Sequence, residues 1–412
     1  MTIPDDFWWG TAASSTQAEG AAPNSTWARW EQLGKAPASG EGNGFATNFA
    51  DDFALYADYG LTHHRLGIDW ARIEPVESKR DPAAIEHYRD VLTAARDAGI
   101  APWVCLHHFT LPGWFGDDLG GFVDDRKRSY YWARHVDFVA ETFGDLVYGW
   151  KPINEPVAYT AAGYLLGVNP PGKADVNDFA EALEATHLAN LEAWRVLRSG
   201  DQPVCTIMNL NPVFAAVRSP NPDERALAEA NAKLYDDVIW TSWIRALRDG
   251  VLAVPGRAER VIDDYAGAFD LIGFSYYSAT AVYADLSTGP YPTDARTGPL
   301  GDAPWAQGLG ITIRRLHDEL PDRPLVVAEC GIGTFADDDD DAWRTEVLRD
   351  SLHQVSDAID DGCDVRGFFH WTGVDNYEWT LGYDARFGIF DADRNPKGSA
   401  ELARAWAKGT SP

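Results

Sequence analysis

Residues 81–109 read DPAAIEHYRDVLTAARDAGIAPWVCLHHF, a helix signature running straight into a buried-strand signature. Asp81 suits a helix N-cap, Pro82 fits the first turn and Gly99 stops the helix, while Ile85, Tyr88, Leu92 and Ala95 fall on one face. The following run, APWVCLHHF, is continuously apolar rather than alternating, as in a parallel strand covered on both sides, and it ends on two histidines. Reading outward from this unit, eight strand-like segments emerge: FWWGTAAS, HHRLGIDWARI, APWVCLHHF, LVYGWKPINEP, PVCTIMNLNP, LIGFSYYSA, PLVVAECGIG and VRGFFHWTGVDNYEW. They recur every 40–65 residues or so, room for a strand, a helix and loops each time. KRSYYWARHVDFVAETFG repeats the helical stripe with Trp132, Val136, Val139 and Phe143. Strand and helix alternating eight times without a low-complexity linker predict an α/β fold, a single (β/α)8 barrel over residues 1–412.

Composition narrows the function. The chain has 412 residues, a formal net charge of −28 and seventeen tryptophans. That charge disfavours nucleic acid and anionic membranes. No apolar run approaches the ~18 residues that span a bilayer. The start, MTIPDDFWWG, lacks the basic-then-apolar pattern of a secretory signal, so a cytoplasmic location is expected. Indole pairs an apolar face with one N–H donor, which suits a sugar ring. Cys105, Cys205, Cys330 and Cys363 are widely spaced and are expected to be free thiols. The acidic run Asp337 to Asp341 reads as a solvated helix start favoured by the helix dipole.

In such a barrel the active site lies at the C-terminal strand ends. Polar side chains collect there: Gln17 and Glu19 after strand one, Arg65 on strand two, His107 and His108 on three, Asn154 and Glu155 on four. Ser275, Tyr276 and Tyr277 follow on six, Glu329 on seven, and Trp371, Glu378 and Trp379 on eight. Glu155 and Glu329 each close a buried strand that then breaks, at Pro156 and Gly331. Poorly solvated carboxylates so placed suggest acid, base or nucleophile chemistry on a polyhydroxylated substrate. By strand alternation Tyr277 faces the site and Tyr276 the packing. The same alternation keeps the pairs His63–His64 and His107–His108 from sharing an ion, so no metal is expected. Trp8, Trp9, Trp27, Trp30 and Trp103 are assigned to packing.

From residue 7 to about residue 399 the chain resembles the glycoside hydrolases of family 1, the β-glucosidase family. FWWGTAASSTQAEG, NEP, DNYEWTLGYDARFGIF and RNPKGSA carry the resemblance, in order. It implies a retaining exo-β-glycosidase on small β-glycosides, without cofactor, releasing glucose or else fucose or galactose. It further implies Glu155 as acid/base, Asn154 on the sugar 2-hydroxyl, and Glu329 as nucleophile held by Tyr277 and Arg65. Gln17, His108, Glu378 and Trp379 would bind the glycone, Trp371 would lie beneath it and Trp305 would line the aglycone side. The Glu378 charge would repel a 6-phosphate. The chain departs from the family at Ala328 and Cys330 (usually Thr and Asn), Ser275 (usually Asn), Phe109-Thr110 (usually Trp-Asp) and Thr372-Gly373-Val374 (usually Ser-Leu-Leu). These changes would loosen the surroundings of Glu329. They leave two alternatives, a barrel that binds glycosides without cleaving them and a transglycosidase using the same intermediate.

Overall fold

A computed structural model describes residues 3–338 and 340–410. Eight parallel strands curl into one sheet. They are β1 (Trp8–Ala12), β2 (His63–Gly67), β3 (Ala101–His107), β4 (Gly149–Ile153), β5 (Met208–Asn209), β6 (Ile272–Tyr276), β7 (Leu325–Cys330) and β8 (Val365–Trp371). Each is followed by a principal helix: α1 (Phe45–Asp58), α2 (Pro82–Asp97), α3 (Ala133–Phe143), α4 (Val176–Leu197), α5 (Ser242–Asp249), α6 (Ala306–Glu319), α7 (Asp341–Asp360) and α8 (Gly398–Ala407). The fold is the (β/α)8 barrel expected from the alternation.

The quoted stretch folds as its residues dictate. Asp81 Oδ1 accepts the Ala83 N–H at 2.9 Å, Pro82 opens α2, and Gly99 takes the left-handed conformation that ends it, with φ 78°. Tyr88, Leu92 and Ala95 are buried against the barrel, while Ile85 packs at the margin. Residues of β2, β4 and β7 are buried throughout, as parallel strands covered on both sides should be, although β2 and β4 carry His63, His64, Arg65 and Lys151.

Register joins β8 to β1 (Ala12 opposite Trp371), β1 to β2 (Ala12 opposite Arg65) and β3 to β4 (Cys105 opposite Lys151). Closure at strand five departs from expectation. Only Met208–Asn209 of the run 203–212 is regular strand. Isolated parallel bridges, Trp150 to Val204 and Asn154 to Ile207, carry the seam to β4. On the other side the Thr206 hydroxyl donates to the Gly273 carbonyl (2.9 Å) and accepts its N–H (3.0 Å), standing in for ladder bonds. The sequence also hid an excursion at the barrel mouth, a three-stranded sheet of residues 213–215, 279–282 and 288–291.

All four cysteines are free and buried. The acidic run does more than meet water: Asp340 caps α7 through Trp343 N (3.0 Å), and Asp341 binds Ser399 Oγ (2.7 Å), tying α7 to α8. Asp339 lies outside the described residues. Among the described residues no helix is long and apolar enough to cross a membrane, and no three His, Cys, Asp or Glu side chains gather as a metal cluster.

Candidate active site

Glu155 follows β4, and its backbone bends into the left-handed region (φ 46°) before Pro156 starts a short helix. Its N–H is held by the Ile207 carbonyl at 2.9 Å. A non-glycine residue in that conformation is strained, and Phe109 (φ 68°) and Trp379 (φ 48°) share the feature at the same mouth. Glu329 sits where β7 slips register against β6 between Val327 and Glu329, a bulge that re-aims the strand end. Gly331 is required just beyond, because a Cβ there would strike the Trp371 carbonyl.

The two carboxyls are treated differently. Glu329 Oε1 pairs with Arg65 Nη2, and Oε2 accepts the Tyr277 hydroxyl at 2.6 Å. Burial and the neighbouring carboxylates push Tyr277 well above its ordinary value, so it stays a donor. Glu155 Oε1 has no hydrogen-bond partner among the described residues. Burial, then the Glu329 charge, raises Glu155 to about 8. One carboxyl is therefore braced by two donors, and the other holds its proton beside the Ser275 hydroxyl.

Arg65 organises the rest. Its Nη1 donates to His108 Nδ1 at 2.8 Å and to Asn154 Oδ1 at 3.4 Å. Since guanidinium only donates, His108 Nδ1 must accept, which puts the imidazole proton on Nε2, where the Asn154 amide nitrogen lies 3.5 Å away. Burial first, then Arg65, lowers His108 well below its usual range and keeps it neutral. The His108 ring stacks parallel to Trp371 and Trp379, with centroids 5.6 and 6.0 Å away, and the Arg65 guanidinium lies 5.3 Å from the Trp371 ring.

Gln17 differs in detail from expectation. Its two amide hydrogens go to the Tyr377 carbonyl and Glu378 Oε2, each at 2.9 Å, and its Oε1 accepts from Ser14. It braces Glu378 and keeps one lone pair for a ligand. Burial, then Glu329, pushes Glu378 up to about 8. At neutral pH this carboxyl mostly holds its proton, so its charge is a weaker barrier to a 6-phosphate than expected. Trp305 heads α6 and packs on Phe214 and Tyr291 (5.9 and 5.2 Å), with its carbonyl accepting from Tyr276 at 2.5 Å. It therefore stands on the excursion-sheet side of the mouth, and Tyr276 turns to packing while Tyr277 meets Glu329.

The family model described as "Glycosyl hydrolase family 1" matches residues 1–408. The chain belongs to glycosyl hydrolase family 1. The coniferin beta-glucosidase of Pinus contorta is 28% identical over 472 aligned positions, covering 98% of this chain and 91% of the relative. The beta-glycosidase from Pyrococcus horikoshii is 29% identical with a TM-score of 0.89, covering 99% of this chain and 95% of that one. The family 1 b-glucosidase from Thermotoga maritima, at 23% identity, shares the fold with a TM-score of 0.87 over 100% and 98% of the two chains. As a family 1 member the protein is a glycoside hydrolase acting on O-glycosyl bonds.

The departures from the family pattern take on physical meaning. Ala328 packs with Cys105 and Ile207 in an apolar cluster, while Cys330 belongs to the main core and meets Ser351 of α7. Thr372 Oγ1 bonds the Ala12 carbonyl at 2.6 Å, and Gly373 leaves room for the Tyr56 hydroxyl. None of these displaces the Arg65 or Tyr277 bond to Glu329. Phe109 lies near parallel to Tyr159 at 6.4 Å, a mouth pairing not anticipated. Trp27, assigned to packing, buttresses Trp379 edge-on at 4.7 Å and donates to the Tyr377 hydroxyl. Lys151 was also overlooked, although a lysine inside the apolar run YGWKPI was its signal.

Proposed function

We propose that this chain works as a single catalytic unit, a retaining exo-β-glycosidase that removes terminal β-D-glucosyl residues, with fucosyl or galactosyl as neighbouring substrates, from small β-glycosides. The asymmetry of the carboxyl pair carries the reading: Glu329 is charge-paired and doubly braced, while Glu155 is proton-loaded and its Oε1 has no hydrogen-bond partner among the described residues. Retaining chemistry asks for this division of one nucleophile and one acid.

Glu329 attacks the anomeric carbon as Glu155 passes its proton to the departing glycosidic oxygen. Forming the glycosyl ester removes the Glu329 charge, so the proton affinity of Glu155 falls and it becomes the base that takes a proton from water. Arg65 and the Tyr277 hydroxyl hold the nucleophile. Asn154, His108 Nε2–H and Glu378 address sugar hydroxyls, the Trp371 and Trp379 rings offer apolar faces, and Trp305 lines the aglycone side. The cytoplasm fits four unpaired thiols.

The experiment is a screen of nitrophenyl β-glucoside, galactoside, fucoside, mannoside and xyloside, with the first-formed anomer read by NMR. Release of β-glucose first, lost in Glu329→Gln, is the expected result. Full turnover by Glu329→Gln, or α-anomer first, overturns the reading. Sugar binding without release identifies a binding barrel, and alkyl glycosides formed in added alcohol identify a transglycosidase.

A further inference from the structure

Beneath the carboxyls the barrel encloses an unpaired cation. Lys151, on β4 four residues before Glu155, is 0% exposed, and its Nζ has no hydrogen-bond partner among the described residues. Aromatic faces surround it instead: Nζ lies 4.1 Å from the Phe369 ring centroid and 5.1 Å from that of Trp103. Trp8, His63 and Tyr148 close the floor below, with Trp103 5.5 Å from Trp8 and 5.4 Å from Tyr148. The titratable and charged groups that feel it come from every wall, namely Cys205 before β5, Arg65 and His63 on β2, Glu329 on β7 and Cys105 on β3. Of these only Glu329 is a carboxyl group. A buried lysine without a carboxylate contact is costly, and burial pushes its ionisation down to about 8. At neutral pH it still carries charge, and among the groups it feels is Glu329, whose own charge comes and goes during the reaction.

We propose that Lys151 is a positioning residue for the second half-reaction, its caged ammonium stabilising the Glu329 carboxylate as that group leaves the anomeric carbon. The inference rests on Glu329 being the nucleophile of a retaining cycle. In that step water attacks the anomeric carbon and gives a proton to Glu155, while the carbon–oxygen bond to Glu329 breaks and its electron pair returns to the carboxylate. A fixed positive charge favours this regeneration. It also makes the free carboxylate a weaker nucleophile, so it opposes the first step. Lys151 therefore shifts the balance between the half-reactions, whereas a packing residue would impair both.

The test compares wild type with Lys151→Met and Lys151→Gln on dinitrophenyl β-glucoside by stopped flow. Loss of a unit charge at this depth is expected to lower kcat about tenfold. KM should fall by at least as much as kcat, kcat/KM should hold or rise, and a phenol burst equal to the enzyme concentration should appear. A drop in kcat/KM with KM unchanged and no burst overturns the proposal. Should neither variant fold, the wild type decides: reactivation of a 2-fluoroglucosyl-enzyme should slow as pH rises and Lys151 loses its proton, and a rate that keeps climbing to about pH 9.5 overturns it. Absence of any 2-fluoroglucosyl label on wild-type Glu329 would instead remove the underlying assignment of the nucleophile.

Discussion

Glu329→Gln keeps the shape of the side chain and deletes its charge, so its effect reaches Glu155 through space. Burial is the largest reason that Glu155 holds its proton, and the Glu329 charge is the second. Retaining pairs stand about 5–5.5 Å apart. At an effective dielectric of ~20 that separation corresponds to about 3 kcal/mol between unit charges, or about two pH units in the Glu155 titration. The variant should lose at least about four orders of magnitude in turnover. Glu155 should titrate about two pH units lower than in wild type yet remain above an exposed glutamate, because its burial is unchanged. Carboxyl-13C-labelled glutamate followed by NMR across pH 4–10 reads this directly, with Glu155→Gln supplying the assignment. Trapping wild type as the 2-fluoroglucosyl-enzyme neutralises Glu329 chemically and should give the same fall. A Glu155 titration unmoved by both would mean that the carboxyls do not share a site, and the acid-to-base switch would go with it.

Tyr277→Phe removes the 2.6 Å bond to Glu329 Oε2. A charge-assisted bond of this kind contributes about 1.5–3 kcal/mol, so kcat should fall about 10- to 100-fold, and unchanged kinetics would contradict the bracing role. Gln17→Ala frees Glu378 from its amide partner, and KM for the glucoside should rise about tenfold with little change for an aryl-only competitor; equal weakening of both would argue for general disruption. Trp305→Ala should raise KM for nitrophenyl glucoside several-fold while sparing methyl glucoside, and equal effects would move Trp305 off the aglycone side. Stability carries its own signature. Glu19 is raised to about 7, and Glu155 and Glu378 to about 8, all chiefly by burial. The folded chain thus keeps protons that the unfolded chain releases above about pH 4.3. Their stabilising contribution is complete below that pH and is lost as pH climbs through 7 to 8, at up to about 1.4 kcal/mol per pH unit for each group. Histidines buried in the neutral form, such as His63, His64 and His107 at about 3, pull the opposite way below about pH 6.5, so the readout is a difference. Calorimetry should show wild type losing stability relative to Glu378→Gln from pH 5 to 8, and a difference independent of pH would contradict the buried proton.

Local chemistry along the chain was sufficient for the repeating unit and for most of the site. Asp81, Pro82 and Gly99 write the limits of α2 without reference to anything distant, since caps and left-handed stops act within a turn. Unbroken apolar runs announced strands covered on both sides, and the polar residue ending each run marked the rim, which is why Arg65, Glu155, Tyr277 and Glu329 could be singled out. Strand parity was enough to divide Tyr276 from Tyr277.

Other features depended on neighbours far apart in the chain. The seam at strand five uses a threonine hydroxyl where ladder bonds were expected, and the excursion sheet joins segments separated by more than sixty residues. Gln17 turned out to spend its amide on Tyr377 and Glu378, 360 and 361 positions away. Whether Glu378 carries a charge, or Lys151 finds a counter-ion, depends on how much water and which charges surround each group. Periodicity and capping are properties of adjacent residues and survive in one dimension. Ionisation and hydrogen-bond allegiance belong to the enclosed space, and only the closed barrel creates that space.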